Sequence, residues 1–311
     1  MRVFLAGASG AIGRPLIARL IEGGHEVVAV TRSTDRGEAL RALGAEPIVA
    51  DVFDADAVHT AVAGARADAI VNQLTSLPPR QDPKAMRAAL AATNRVRREG
   101  TANLVAAARG AGVGRMISQS VAFYYEPGGG PATEDVALWT GAPGAFGSVS
   151  EALGALESAT TETEGIEGMV MRYGFFYGPG TWYAPGESAA DDVRRRRFPI
   201  IGRGTSVWSW IHIDDAAAAT VAALERWSPG IYNVCDDDPA PQREWLPVFA
   251  QAMGAPKPMR VPKLVAGLAA GRSTIAWLAS LRGADNARAK AAWGLAVRSW
   301  REGFAQMRAA D

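Results

Sequence analysis

The spacing with the clearest chemical meaning is that of Gly7, Gly10 and Gly13 in GASGAIG, set between an apolar run, Met1–Ala6, and an amphipathic one, Ala11–Glu22. Backbone that approaches a pyrophosphate closely cannot carry Cβ atoms in the way. The first N–H groups of the following helix are unpaired and point at the anion. With Gly23–Gly24 closing that helix and a second strand over His25–Thr31, the opening segment is one strand–helix–strand unit of dinucleotide-binding length. Ser9, Ala11 and Ile12 lie on the same turn and join the three glycines as predicted phosphate contacts.

The end of the second strand decides which dinucleotide. An acid there holds the adenosine ribose hydroxyls of NAD, but this chain has Thr31, followed by Arg32, Ser33 and Arg36. A carboxylate would repel a 2′-phosphate, whereas a guanidinium offers it a charge-assisted contact. The expectation is NADP(H) in preference to NAD(H).

The elements that must position these residues keep alternating. Helices are expected over Asp35–Leu43, Asp54–Ala63 (capped by Asp54) and a long stretch from about Pro83 to Gly110, with a loop over Leu74–Asp82. Strands are expected over Glu46–Ala50, Asp68–Gln73 and Gly114–Ser120. Such a series argues a doubly wound parallel sheet, with ligands beyond the carboxyl ends of its strands. Asp51 and Val52, and the pair Asn72–Gln73, then fall on the cofactor rim. Beyond a Gly/Pro-rich stretch, Ala122–Gly147, come a helix over Ser148–Glu164 and a strand over Gly168–Arg172. An irregular aromatic segment over 173–212 follows, then a helix over Asp214–Arg226 with Asp214 or Asp215 as its cap, and a strand over Gly230–Val234. Two lobes are expected: a nucleotide core of 1–172 plus 213–234, and a smaller, mostly helical substrate lobe of 173–212 plus 235–311.

Composition narrows the class. The 311 residues carry a formal net charge of +1, which gives no global attraction to nucleic acid or anionic membrane. No run is apolar enough to span a bilayer. A single cysteine, Cys235, and a first strand that starts at Met1 point to a reducing cytoplasm. The histidines His25, His59 and His212 are scattered without metal-ligand spacing, so no metal site is expected, and there is no G-x-S-x-G elbow. Asp236–Asp238 reads as a turn cluster, and the run Arg194–Arg197 as a solvated face or an anion clamp.

Several segments together resemble the extended or atypical short-chain dehydrogenase/reductase superfamily, in its NAD-dependent epimerase/dehydratase group. The glycine motif over Gly7–Gly13 is similar, as is the strand Met116–Tyr124, which places the family's catalytic serine on Ser120. Arg172–Gly180 resembles its R-x-x-x-x-Y-G-P-G segment, and Ile211–Asp215 and Tyr232–Val234 match two later landmarks. The resemblance spans the whole chain and implies a Rossmann core with a substrate cleft between lobes. It also implies a small-molecule substrate and dimerisation through the long helices.

The resemblance breaks at the family's Tyr-x-x-x-Lys pair, whose tyrosine moves the proton and whose lysine lowers its pKa and holds the nicotinamide ribose. The matching positions are Phe146 and Ser150, and no tyrosine in the chain has a lysine four residues later. Positioned acid–base catalysis is typically worth about 10²–10⁴-fold. Either another group protonates, or the reaction needs no such proton, or the domain has left redox chemistry. Tyr124, just beyond Ser120, is the first substitute donor, ahead of Tyr177, Tyr183 and His212. The arginine that meets the diphosphate in sugar-nucleotide members is replaced by the stretch Val207–Trp210. Tyr177, Trp182, Tyr183, Trp208 and Trp210 then either line an apolar slot for an aromatic, polyketide-like or terpenoid ketone or enone, or fill the small lobe's core. The reading that follows is an NADP(H)-dependent reductase of an apolar carbonyl or enone compound. A non-catalytic NADP-binding sensor and a non-redox isomerase or lyase stand as alternatives.

Overall fold

The opening unit folds around an apolar strand, β1 (Arg2–Ala6), which runs into helix α1 (Gly13–Glu22). Leu16, Ile17 and Leu20 recur at helical spacing and bury one face of α1 on the sheet. Next come β2 (Glu26–Thr31), α2 (Thr34–Ala42), β3 (Glu46–Val49), α3 (Ala55–Ala65) and β4 (Ala69–Asn72). The computed structural model describes residues 1–81 and 83–308, so Asp82, the last residue of the expected loop, lies outside the described residues. The N-cap of α3 is Asp54, which accepts the Ala57 amide at 3.0 Å.

The long helix is realised as α4 (Pro83–Arg95) and α5 (Thr101–Ala111), joined by a π-helical turn over Val96–Gly100. After it come β5 (Arg115–Val121), α6 (Ala145–Thr161) and β6 (Glu167–Tyr173). Helix α6 starts three residues before the expected Ser148, at the left-handed Gly144, which brings Phe146 into its first turn. A last strand, Gly230–Val234, completes a seven-stranded sheet in the order Gly230–Val234, β6, β5, β4, β1, β2, β3, every pair parallel. The order reverses between β1 and β4, which opens the crevice where such sheets bind ligands.

Two apolar layers flank this sheet. A third core, rich in aromatics, belongs to the smaller lobe and gathers residues from Tyr177 to Met307. The helix Ala287–Trp293 follows Cys235 in sequence yet packs back on the nucleotide core, with Trp293 4.3 Å from the Tyr232 ring. The helix Ile213–Glu225 is capped neither by Asp214 nor by Asp215. Both lie in its first turn, and the cap is His212, whose Nδ1 accepts the Asp214 amide at 3.2 Å. No helix among the described residues is long and apolar enough to cross a membrane.

Candidate active site

The crevice begins at the glycine turn. Gly7 has a φ of 88°, and a Cβ there would stand 2.4 Å from the carbonyl oxygen of Gln73. One on Gly13 would stand 2.4 Å from the Ala8 carbonyl oxygen. Both positions therefore require glycine, and the loop lies flat against β4. The amides of Ala11 and Ile12 find no acceptor among the described residues, and no side chain caps α1. A cradle without Cβ atoms, lined by free N–H groups, fits a pyrophosphate.

Beside the glycine turn, the rim of the sheet is set by the ends of β2 and β3. Thr31 is buried, and its hydroxyl meets the backbone of Ser33 at 3.4 Å. Ser33 caps α2 by accepting the Arg36 amide. Arg32 and Arg36 are exposed, and neither has a carboxylate within ion-pair distance among the described residues. Asp51 is exposed and spends one oxygen on the Phe53 amide, while the carbonyl of the buried Val52 accepts Asn103. Asn72 is occupied internally, donating to Thr101 at 3.1 Å and accepting the Leu74 amide. Gln73 donates to the Tyr173 hydroxyl, and its Oε1 is buried without a partner.

The end of the crevice nearest the small lobe is built by β5, α6 and a helix of that lobe. Phe146, Ser150, Leu153 and Glu157 recur along one face of α6. Phe146 stacks on Trp277 from the helix Arg272–Ser280, with centroids 4.7 Å apart and planes 5° from parallel. Tyr124 leans on both rings, and Phe123 stacks on Phe175, which stacks on Trp208. Half-buried aromatic faces from beyond the ends of β5 and β6, from α6 and from the small lobe thus meet here. Ser150 is fully buried and donates to the Phe146 carbonyl oxygen.

Ser120 has no exposed surface. Its hydroxyl donates to Glu157 Oε1 at 2.6 Å. The same carboxylate takes Arg172 in a bidentate pair, Nε to Oε1 at 2.9 Å and Nη2 to Oε2 at 2.5 Å. The pair is held further by the Tyr125 hydroxyl and the Glu134 carbonyl. Ser120 therefore belongs to a buried charge network rather than facing the cleft. Tyr124 is also buried, and loss of hydration pushes its phenol well above the ordinary range, with the Arg97 charge pulling the other way.

Arg97 gave no signal in the sequence. It projects from the π-helical turn and is 8% exposed, and its Nη1 meets no partner among the described residues. Burial lowers its pKa to about 10, opposed by Tyr124 and Glu157 nearby.

Of the residues expected to line an apolar slot, Tyr177, Tyr183, Trp208 and Trp210 are almost fully buried and form the small lobe's core with Trp245, Phe249 and Phe304. The edge-to-face contacts of Trp210 with Tyr177, Tyr183 and Trp245 leave no room for a ligand among them. Trp182 is half-buried and donates to the Pro78 carbonyl oxygen, tying the loop after β4 to the lobe. Phe123, Phe146, Phe175 and Trp277 are instead only half-buried; the first three sit at strand or helix ends, and Trp277 lies within the helix Arg272–Ser280. In the arginine run, Arg194 donates to the Met253 carbonyl and Arg197 pairs with Asp192. The acidic cluster is likewise tied into the lobe: Asp236 accepts the Trp300 amide through one oxygen, Asp237 pairs with Lys290 and Asp238 with Arg301.

Comparison with known proteins agrees with this geometry. Residues 3–235 match the NAD dependent epimerase/dehydratase family. A 3-diazoavenalumate denitrifying reductase from Streptomyces sp is 42% identical over 98% of this chain and 99% of its own length. A 2-alkyl-3-oxoalkanoate reductase from Stenotrophomonas maltophilia is 26% identical over 83% of this chain and 77% of its own. Among solved structures, a UDP-glucose 4-epimerase from Thermotoga maritima superposes with a TM-score of 0.79 at 17% identity, covering 99% of this chain and 98% of that one. A human epimerase family protein solved with NADPH gives a TM-score of 0.73 at 24% identity, covering 99% and 98%. The chain belongs to the NAD-dependent epimerase/dehydratase family of short-chain dehydrogenases/reductases, and is a nicotinamide-dependent enzyme of the reductase type.

Proposed function

We propose that the protein is an NADP(H)-dependent reductase of a small or medium aromatic compound, which accepts hydride at carbon without needing a proton from the enzyme. The carrying observation is Phe146: the position from which a tyrosine would donate is a hydrocarbon ring stacked on Trp277. Bound NADPH supplies the hydride. The Gly7–Gly13 turn holds its pyrophosphate, Arg32 and Arg36 meet its 2′-phosphate, and Phe146 and Trp277 hold the substrate ring and exclude water.

A diazo-bearing arene fits a cleft without an acid. The ring carbon gains hydride, the carbon–nitrogen bond breaks, and N2 leaves with that bonding pair. Charges balance with no proton taken up, since an arenediazonium cation plus hydride gives arene plus N2. The 42% identical relative is named for denitrifying reduction of a diazo compound, which supports this class. A ketone or enone is the second reading, favoured by the relatives named for reduction of oxo compounds. It needs a proton from Tyr124 or water. The reading includes a cytoplasmic homodimer packed through the long helices.

The test measures NADPH consumption and N2 release with an arenediazonium salt, beside a panel of aryl ketones and enones. One N2 per NADPH, with a rate flat in pH, is expected. Faster turnover of the ketones, slowed by Tyr124→Phe, would replace the first reading by the second.

A further inference from the structure

The buried cluster beneath the cleft has more positive charge than it can neutralise. Two guanidinium groups, Arg172 and Arg97, lie near one carboxylate, Glu157. Glu157 is saturated by Arg172 and Ser120. Glu134, the next buried acid, bonds the Asn233 amide and faces Arg288. Arg97 is left over, with no hydrogen bond and no ion pair among the described residues. A buried cation is costly unless paired, so an unpaired one beside a ligand cleft marks the place of an anion.

Its position follows from its neighbours. One turn before it, Thr93 accepts the Ser76 amide at 3.1 Å. One turn after, Thr101 accepts from Asn72. Arg97 therefore stands on the helix face turned to the carboxyl end of β4. Tyr124, near enough for its charge to be felt at Arg97, packs its ring on Phe146 and Trp277.

We propose that Arg97 is the anion-binding residue of this cleft, and that the substrate is an aromatic acid whose carboxylate pairs with Arg97 while its ring lies against Phe146 and Trp277. The inference rests on the cleft taking an aromatic substrate, and not on which bond is reduced. A carboxylate would complete the charge balance that Glu157 leaves open, and a guanidinium offers it a bidentate fork.

The test is binding to the NADP⁺-loaded protein, followed by tryptophan fluorescence and calorimetry, with trans-cinnamate and its uncharged methyl ester as probes. Wild type should bind the acid at least tenfold more tightly than the ester. Arg97→Gln should abolish that preference while leaving ester and NADP⁺ affinities within about twofold, and Arg97→Lys should retain part of it. Equal wild-type affinities, or no binding of either probe, overturn the assignment even if Arg97→Gln does not fold. Equal weakening of both probes and of NADP⁺ in Arg97→Gln overturns it too, by giving the charge to the nucleotide. Failure of the reductase reading shows separately, as absence of NADPH turnover with the acid-over-ester preference intact.

Discussion

Phe146 and Trp277 lie face to face across the two lobes, 4.7 Å between ring centroids and 5° from parallel. The contact joins the first turn of α6 to a half-buried helix of the small lobe, and Trp277 packs both on the small cluster around Tyr124 and on the small lobe's core. Aromatic pairs of this kind are worth about 0.5–1.5 kcal/mol beyond area. Trp277→Ala is expected to raise KM for an aromatic substrate roughly five- to tenfold, with the urea midpoint little changed. Steady-state kinetics beside an unfolding curve checks it; a KM unchanged within experimental error would take Trp277 out of the substrate wall.

The nucleotide preference can be isolated at Arg32. A hydrogen bond to a charged group contributes about 1.5–3 kcal/mol, so Arg32→Ala should weaken NADPH roughly ten- to a hundredfold and leave NADH unchanged. Calorimetric titration of both nucleotides decides it. Equal wild-type affinities would remove the NADP(H) reading.

Ser120 and Glu157 separate a structural role from a chemical one. Glu157→Gln leaves Arg172 without its counter-charge in a buried setting, and is expected to cost about 3–5 kcal/mol of stability. Ser120→Ala removes one hydrogen bond, about 1 kcal/mol, and should leave turnover within twofold. Urea unfolding and turnover measured on the same preparations distinguish the two. A large loss of turnover in Ser120→Ala at unchanged stability would return the serine to the reaction.

Asp236 supplies a pH dependence. Burial pushes its carboxyl up to about 7, above the ordinary 3.8, while its Oδ1 has no partner. The folded state therefore binds more protons than the unfolded chain between these values. Stability from this group is full below about pH 4, falls as pH rises to about 7, and is flat above. Asp236→Asn can still accept the Trp300 amide, so it should be more stable than wild type at pH 8, by on the order of a few kcal/mol, with the gap closing near pH 4. Thermal melts of both proteins across that range test the sign.

The nucleotide half was legible because its signals are local. Gly7 needs a left-handed backbone, apolar strands alternate with amphipathic helices, and Asp54 caps within its own turn. Where distant segments meet, the sequence was silent. Trp208 and Trp277 are equally apolar in a sequence, yet one is buried within the small lobe's core and the other only half-buried at its edge, which only the lobe's packing decides. His212 displaced the two aspartates as cap because the backbone is still extended at that residue. Arg97 was invisible for another reason: helical periodicity assumes 3.6 residues per turn, and the π-helical segment breaks that count.

That widened turn at Val96–Gly100 has a consequence for how this cleft is wired. One surplus residue rephases the rod by about 100°, so the same two helix halves can present a different side chain to the same point in space without moving the sheet. Shortening the segment by one residue would rotate Arg97 away and offer a neighbour in its stead, an insertion-length dial on cleft charge that leaves the glycine cradle untouched.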